Sequence, residues 1–478
     1  MKLQSIVCAI ILALSARADT DKPNVLFIAV DDLNDWVGCM GGHPQAITPN
    51  IDRLAKEGML FLNAHCQAPI CGPSRASIMT GLSPTTTGMY LQIKDSEIKE
   101  SGEAAASAVF MPDWFEQNGY KTFAAGKVFH NGDGNGAFDE YRNSGGSPKP
   151  KDRIKWPAKD WPVQKGTGTD WGPYGEDEEY TDFRTATFGA EVLKRKHDRP
   201  FFLAVGFNKP HVPWHVPQKW FDLHPADTIE MPPYAADDMD DVPEMAKRIM
   251  EMPMMPTTDW AIESGEWKHI VQAYLACSTF VDAQVGKVLD ALRESEYVEN
   301  TVVVLWSDHG YHVGEKNRFA KQSLWERSTR SLLVFKVPGM AGDGRCDAPV
   351  QLLDMYPTLL DLCGLPANPG NEGHSLVSLL ENPEAEWGYV ACTSYGQGNL
   401  SMRSRAYRYI VYENGSEELY DMQQDPNEWT NLAGNPEYDA VKERFKAAAP
   451  ETQLPLSALS GYWVNDYWKK KTDEARKE

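Results

Sequence analysis

The chain has 478 residues, 42% of them hydrophobic and including 15 Trp and 19 Tyr, so it is too long for a single core and too apolar to be disordered. Its formal net charge of −21 excludes a broad basic surface for nucleic acid or anionic membranes. An anionic substrate would have to be met by a local cationic pocket.

Lys2 precedes the apolar run "IVCAIILAL" (Ile6 to Leu14) and then "SARAD", where Ala16 and Ala18 form an A-x-A-like cleavage site before Asp19. Residues 1–18 read as a secretory signal peptide, which predicts an exported protein, periplasmic or secreted. No later stretch reaches the ~18 uninterrupted apolar residues of a membrane helix, so no membrane partner is expected. Losing Lys2 and Arg17 with the leader takes the charge from −21 to −23 and leaves seven cysteines, at 39, 66, 71, 277, 346, 363 and 392. An odd number in an oxidising compartment leaves at least one unpaired or used otherwise.

Short apolar runs then alternate with helical patterns, which predicts an α/β fold with a large, mostly parallel sheet flanked by helices. "NVLFIAV" (Asn24 to Val30) reads as a buried strand ending at Asp31 and Asp32, and "NIDRLAKEG" (Asn50 to Gly58) reads as a helix stopped by Gly58. "KTFAAG", "RPFFLAVGF" and "NTVVVLWSDHG" are further strands, the last reaching Asp308. The spacing in "HIVQAYLACSTFVDAQVGKVLDALRESE" predicts a long helix from His269 to Glu296, and "VQLLDMYPTLLDLCG" predicts another helix. Two stretches, about 139–181 and 217–260, are rich in Gly, Pro, Trp, Met and Asp and read as long surface excursions. Residues 19–375 read as the catalytic domain, and 376–478, with runs such as "AYRYIVYENG", as a smaller domain with an antiparallel sheet.

Polar residues at strand ends carry the chemistry, because open α/β sheets bind ligands beyond the carboxyl ends of their strands. Asp31 with Asp32, and Asp308 with His309, sit at two such ends. Neighbouring carboxylates repel unless a cation lies between them, and oxygen-rich clusters suit Ca²⁺ or Mg²⁺. "GKVFH" supplies Lys127 and His130, "NKPHVPWH" supplies Lys209 and His211, and "RFAKQS" supplies Lys321. Together these cations make a pocket for sulfate or phosphate. Asp after a strand is a common loop residue and a lone lysine is most often a solvated one, so the weight rests on the combination. His65, His215 and His312 lack this pattern and read as structural.

Cys71 lies in "ICGPSRASIMTG", Ile70 to Gly81. It has two readings from its residue type alone: a disulfide with Cys66, or a thiolate nucleophile favoured by Arg75 and a nearby helix start. Neither accounts for Cys, Pro, Ser and Arg at these offsets.

"CGPSRASIMTG" fits C-x-P-S-R-x(4)-T-G and resembles the type I sulfatases. The segments "PNIDRLAKEGMLFLNAHCQAP", "SDHG", "LLDMYPTLLDLCGL" and "ELYDMQQDPNEWTNLAG" look like sulfatase segments in the right order, over nearly all of the chain after the leader. "GKVFH", "FFLAVGFNKPHVPWHVP" and His309 look most like the iduronate-2-sulfatase branch. The resemblance implies the alkaline-phosphatase-like sulfatase fold, and oxidation of Cys71 to formylglycine by a maturation enzyme that reads Pro73 and Arg75. It implies Ca²⁺ held by Asp31, Asp32, Asp308, His309 and residue 71. It further implies that Arg75 and Lys127 hold the aldehyde hydrate, that His130 is its hydrogen-bonding partner, and that His211 and Lys321 surround the sulfate ester. Lys209 lies outside that first ring. The implied activity is hydrolysis of sulfate monoesters on a sulfated carbohydrate, a glycosaminoglycan or algal polysaccharide fragment. The alternatives are a phosphomonoester or phosphonate hydrolase of the same fold, or a catalytically dead protein that binds sulfated glycans.

Overall fold

A computed structural model describes residues 22–151 and 169–477. The leader and the middle of the first excursion lie outside the described residues. In chain order the strands are β1 (Asn24–Val30), β2 (Met59–Phe61), β3 (Ala64–His65), β4 (Lys121–Gly126), β5 (Glu140–Arg142), β6 (Phe201–Phe207) and β7 (Thr301–Ser307). They continue with β8 (Arg330–Ser331), β9 (Leu333–Lys336), β10 (Gly344–Cys346), β11 (Val350–Gln351), β12 (Ala391–Ser394), β13 (Leu400–Arg403), β14 (Tyr407–Val411) and β15 (Glu417–Asp421).

Eight of these strands form one sheet in the order β10-β2-β9-β7-β1-β6-β4-β5. β7, β1, β6, β4 and β5 run parallel, and β9 is antiparallel to both β7 and β2. The apolar runs are continuous because both faces of the sheet are covered. On one face Val25, Phe27 and Ala29 pack with Ala76, Ile78, Phe115 and Leu359. On the other, Leu26, Ile28 and Val30 pack with Ile51, Val192, Val285 and Leu289. Full burial of each such side chain contributes ~1.5–3 kcal/mol, which fixes the register of the central strands and so the alignment of their ends.

The helix Pro49–Glu57 and the 27-residue helix Trp267–Arg293 lie on the second face. The long helix starts two residues before the expected His269 and stops at Arg293 rather than Glu296. "VQLLDMYPTLLDLCG" is α-helical only over Met355–Leu362, after a 3₁₀ turn at Leu352–Asp354, because Val350 and Gln351 pair with β3 and a reciprocal cap between Gln351 and Asp354 starts the turn. Its carboxylate accepts the Gln351 and His374 N–H groups, both at 2.8 Å.

β12 to β15 form a four-stranded antiparallel sheet. Its outer face, with Met402, Tyr409 and Leu419, is covered by Phe445 of the helix Asp439–Ala448. Its inner face corrects one expectation. The stretch 217–260 is not a plain surface excursion, since Met245, Ala246, Ile249 and Met250 of the helix Glu244–Met250 are buried against Tyr395, Ile410 and Tyr420. Proline and aspartate dominate that stretch and hide a short helix whose apolar side has a partner only in the tertiary structure. Among the described residues no helix is long and apolar enough to cross a membrane.

Candidate active site

Four adjacent parallel strands deliver their carboxyl ends to one place. β1 gives Asp31 and Asp32, β7 gives Asp308 and His309, β4 gives Lys127 and His130, and β6 leads to His211. Cys71 enters from above as the first residue of the helix Cys71–Thr80, so the thiol sits at the positive end of that helix. The helix start expected near Cys71 falls at the cysteine itself. Two glycines make the convergence possible. Gly126, at φ +72°, turns the chain out of β4, and a Cβ on Gly206 would run into the Lys127 carbonyl.

The Arg75 guanidinium is fully buried and binds Asp308 Oδ2 through Nε at 2.8 Å, with Nη2 3.6 Å from Asp31 Oδ1. Its Nη1 donates to the Lys127 and Val128 carbonyls, which ties the loop after β4 to the helix. Lys127 Nζ pairs with Asp31 Oδ2, and Lys321 Nζ lies 2.5 Å from Asp32 Oδ1. Lys321 Nζ and His309 Nε2 each stand 3.3 Å from Cys71 Sγ. Burial would push the thiol up, but Lys127, Lys321 and His309, helped by a hydrogen bond from His130, pull it well below its usual value. The position is built for a negatively charged or strongly polar group.

The carboxylates are less complete than the cations. Asp31 Oδ1 and Asp32 Oδ2 are buried and accept no hydrogen bond from the protein. Asp31, Cys71, Asp308 and His309 have ligand atoms all within 4.8 Å of one another, and so do Asp31, Asp32, Cys71 and His211. His309 Nδ1 is 2.9 Å from the Gly310 carbonyl and donates to it, which leaves Nε2 as the nitrogen that faces the centre and that a cation would have to strip of its proton. Burial lifts the Asp308 carboxyl to about 7 against the opposing pull of Arg75 and His309. Burial disfavours charge on His309, yet Asp308 and Cys71 lift it to about 9. Two orphaned buried carboxylate oxygens, on Asp31 and Asp32, with Asp308 beside them, fit a hard divalent cation.

His211 is the most open member, its side chain 31% exposed, with Nε2 4.0 Å from Asp32 Oδ2. His130 is oriented by its main chain, since Asp95 accepts the N–H groups of His130, Asn131 and Gly132 at 3.1, 2.7 and 2.6 Å. Lys209 is buried and donates to the carbonyls of His211 and Pro213, so it braces the His211 loop from behind. His65 and His312 bond to Asn63 and Ser323 away from the centre. His215 has a carboxylate neighbour that its sequence context did not reveal, Asp170 at 3.4 Å. Cys66 and Cys71 are both free, as are the other five described cysteines, so the disulfide reading of Cys71 falls.

Three further residues support the site; Ser74 was visible only as part of the motif around Cys71, and Tyr274 and Asp95 carried no sequence signal. Ser74 Oγ donates to the Asp308 carbonyl at 2.6 Å, Tyr274 donates to the Asp32 carbonyl at 2.7 Å, and Asp95 caps the His130 loop. Their partners are separated from them by dozens to hundreds of residues.

A sulfatase family profile matches residues 23–365. The chain belongs to the sulfatase family. A profile described as N-sulphoglucosamine sulphohydrolase, C-terminal, matches residues 314–453 of this sulfatase. A protein called sulfatase from Formosa agariphila is 47% identical over 461 residues, 95% of this chain and 91% of its own. The iduronate 2-sulfatase of Mus musculus is 31% identical over 77% of this sulfatase and 73% of its own length. Among solved structures, a protein in complex with its substrate D-glucosamine-2-N,6-O-disulfate aligns with a TM-score of 0.70 at 22% identity, covering 89% of this chain and 96% of that one. The sulfatase fold is thus shared, and as a family member the protein is a sulfuric ester hydrolase.

Proposed function

We propose that this protein is an exported sulfatase that hydrolyses sulfate monoesters of a sulfated carbohydrate, of the iduronate-2-sulfatase type, through formylglycine at position 71 and bound Ca²⁺. The observation that carries the reading is the buried residue 71, ringed by Lys127, Lys321 and His309 and facing two carboxylate oxygens that have no protein partner. The names of the iduronate relative and of the disulfated glucosamine complex favour a sugar sulfate. In this reading residues 1–18 are the leader, 19–375 the catalytic domain and 376–478 the smaller subdomain.

Asp31, Asp32, Asp308, His309 and residue 71 would hold Ca²⁺, which when bound supplies positive charge against the sulfate oxygens. A maturation enzyme reading "CGPSR" would oxidise Cys71 to formylglycine, whose hydrate supplies an attacking hydroxyl and a second one for releasing sulfate. Arg75 clamps Asp31 and Asp308, so the carboxylates remain aligned on the centre. Asp308 is the group that accepts a proton from the attacking hydroxyl. Lys127 and Lys321 face the sulfate oxygens as fixed cations. Lys321 Nζ is held 2.5 Å from Asp32 Oδ1, which fixes it beside the centre. His211, at the open side, is better placed to protonate the departing alcohol. His130, whose side chain lies close enough to residue 71 to lower the pKa of its thiol, is the group placed to take the proton of the second hydroxyl. Overall ROSO₃⁻ and water give ROH and HSO₄⁻.

Parallel assays on sulfate and phosphate monoesters of the same alcohol test the reading. Sulfate should be cleaved with the higher kcat/KM. A clear preference for phosphate would move the protein to the phosphohydrolase alternative, and no turnover by matured protein would favour the glycan-binding one.

A further inference from the structure

The loop that delivers Lys321 also buries a second cation. Among the described residues, the arginines less than a tenth exposed are Arg75, Arg318, Arg403 and Arg408. Three have carboxylate partners: Arg75 has Asp308, and Arg403 and Arg408 share Glu326. Arg318, 7% exposed, has none. Its Nη2 donates to the carbonyls of Lys321 at 2.7 Å and Gln322 at 3.4 Å, and its Nε has no partner. An arginine cannot shed its proton at physiological pH, so burying one without a counter-ion is costly.

The surroundings are polar and incomplete as well. Tyr395 Oη, Gln322 Oε1 and His312 Nδ1 are buried without hydrogen-bond partners. Burial lowers Arg318 to about 10, and the only offsetting groups are the phenols of Tyr395 and Tyr311. Burial also keeps His312 neutral. This region joins the reaction centre. Tyr311 lies under Lys321 Nζ, 6.0 Å from the ring centroid, and Tyr462, bonded to Gln322 Nε2 at 3.1 Å, is close enough to feel the charges of Lys321, Cys71 and Asp32. Gln322 adopts φ +66°, a left-handed conformation that costs about 1 kcal/mol or more for a non-glycine residue and holds the loop bent at this point.

We propose that Arg318 is the anchor of a second anion subsite beside the scissile sulfate, taking a carboxylate or a second sulfate on the same substrate, with the Tyr395 hydroxyl donating a further hydrogen bond. This rests on the sulfatase reading above and deepens it: the substrate carries at least two negative groups. The empty arginine is the free protein's cost for a charge-assisted, bidentate contact in the complex. A purely structural Arg318, stapling the Lys321 loop through two carbonyls, would affect every substrate equally.

The test compares wild type with Arg318→Met and Arg318→Lys on two substrate pairs. One pair is a monosulfated uronate disaccharide and its carboxyl-reduced counterpart; the other is a disulfated neutral sugar and its monosulfate. Wild type should prefer the more anionic member of one pair, and the pair that shows it identifies the second group. In Arg318→Met that kcat/KM ratio should fall by roughly 30-fold or more, while Arg318→Lys retains part of it. Arg318→Met should also melt at or above wild type, since an uncompensated buried charge has gone. No preference in either pair by wild type, or a proportional loss on both members in Arg318→Met, would overturn the proposal. Failure of the sulfatase reading looks different: matured wild type would cleave none of these esters, and the subsite would fall with it.

Discussion

Two clusters of buried charge in this molecule look alike by composition and differ in how they are closed. At the strand ends, Asp31, Asp32 and Asp308 face Arg75, Lys127 and Lys321. At the seam with the C-terminal sheet, Glu326 and Glu428 face Arg403 and Arg408. The seam pairs its charges closely: Glu326 Oε2 meets both arginines, Arg408 Nε and Glu428 Oε1 face each other as an ion pair at 2.8 Å although neither is aligned for a hydrogen bond, and the Glu326 N–H donates to Glu428 Oε2 at 2.9 Å. The strand-end cluster leaves Asp31 Oδ1, Asp32 Oδ2 and Arg75 Nη2 without hydrogen bonds. Buried charge alone does not mark a site: the leftover atoms of the seam meet each other at 2.8 Å, whereas those of the strand ends stand 3.6 Å (Asp31 Oδ1 to Arg75 Nη2) and 4.0 Å (Asp32 Oδ2 to His211 Nε2) from a charged partner and leave room for a ligand. The same contrast separates Arg318 from the cavity of ≈ 430 Å³ lined by Asp35, Glu326, Arg327, Arg330 and Arg405, whose arginines are all ion-paired.

The contrast can be broken by exchanging the roles of the clusters. Cys71→Ala should lower turnover by about 10³-fold or more, while thermal melting stays at the wild-type value. Arg408→Met should do the reverse, costing about 3–5 kcal/mol in denaturant unfolding by leaving Glu428 uncompensated and Glu326 without its second arginine. Turnover per folded molecule should change less than tenfold. An Arg408→Met protein of normal stability but poor activity would erase the distinction.

A smaller effect sharpens the account of the leftover oxygens. Chelation should abolish turnover and lower the melting temperature, and Ca²⁺ should restore both, by about 2.7 kcal/mol at a hundredfold excess over Kd. In Asp32→Asn the Ca²⁺-dependent melting shift should shrink, an outcome readable without any substrate. The smallest effect lies far from both clusters. The Asn465 side chain caps the helix Asp466–Ala475 by accepting from the Trp468 N–H at 2.9 Å and donates to the Glu251 carbonyl at 2.9 Å. Asn465→Ala should cost ~1 kcal/mol and leave turnover unchanged.

The central strands were legible because a parallel strand buried on both faces is a continuous apolar run, and the residue after it must turn toward solvent or a site. Hence Asp31, Lys127 and Asp308 could be placed at one edge without coordinates. What joins the strand ends to Cys71 was not legible from spacing, and only the match of "CGPSR" to a family motif put that residue among them. Arg318 gave no sign at all, because an arginine in a polar loop reads as solvated and its lack of a counter-ion is a property of the folded neighbourhood. Glu326, Arg408 and Glu428 are spread over about a hundred residues of sequence, and Met245 to Met250 lay hidden in a proline-rich stretch whose partner, the C-terminal sheet, comes some 150 residues later.

The most direct test is the chemical state of residue 71. Mass spectrometry of the peptide that spans "ICGPSRASIMTG", from protein produced with a maturation enzyme, should find formylglycine, and specific activity should rise in proportion to its fraction. Fully active protein with an unmodified thiol at Cys71 would contradict the account.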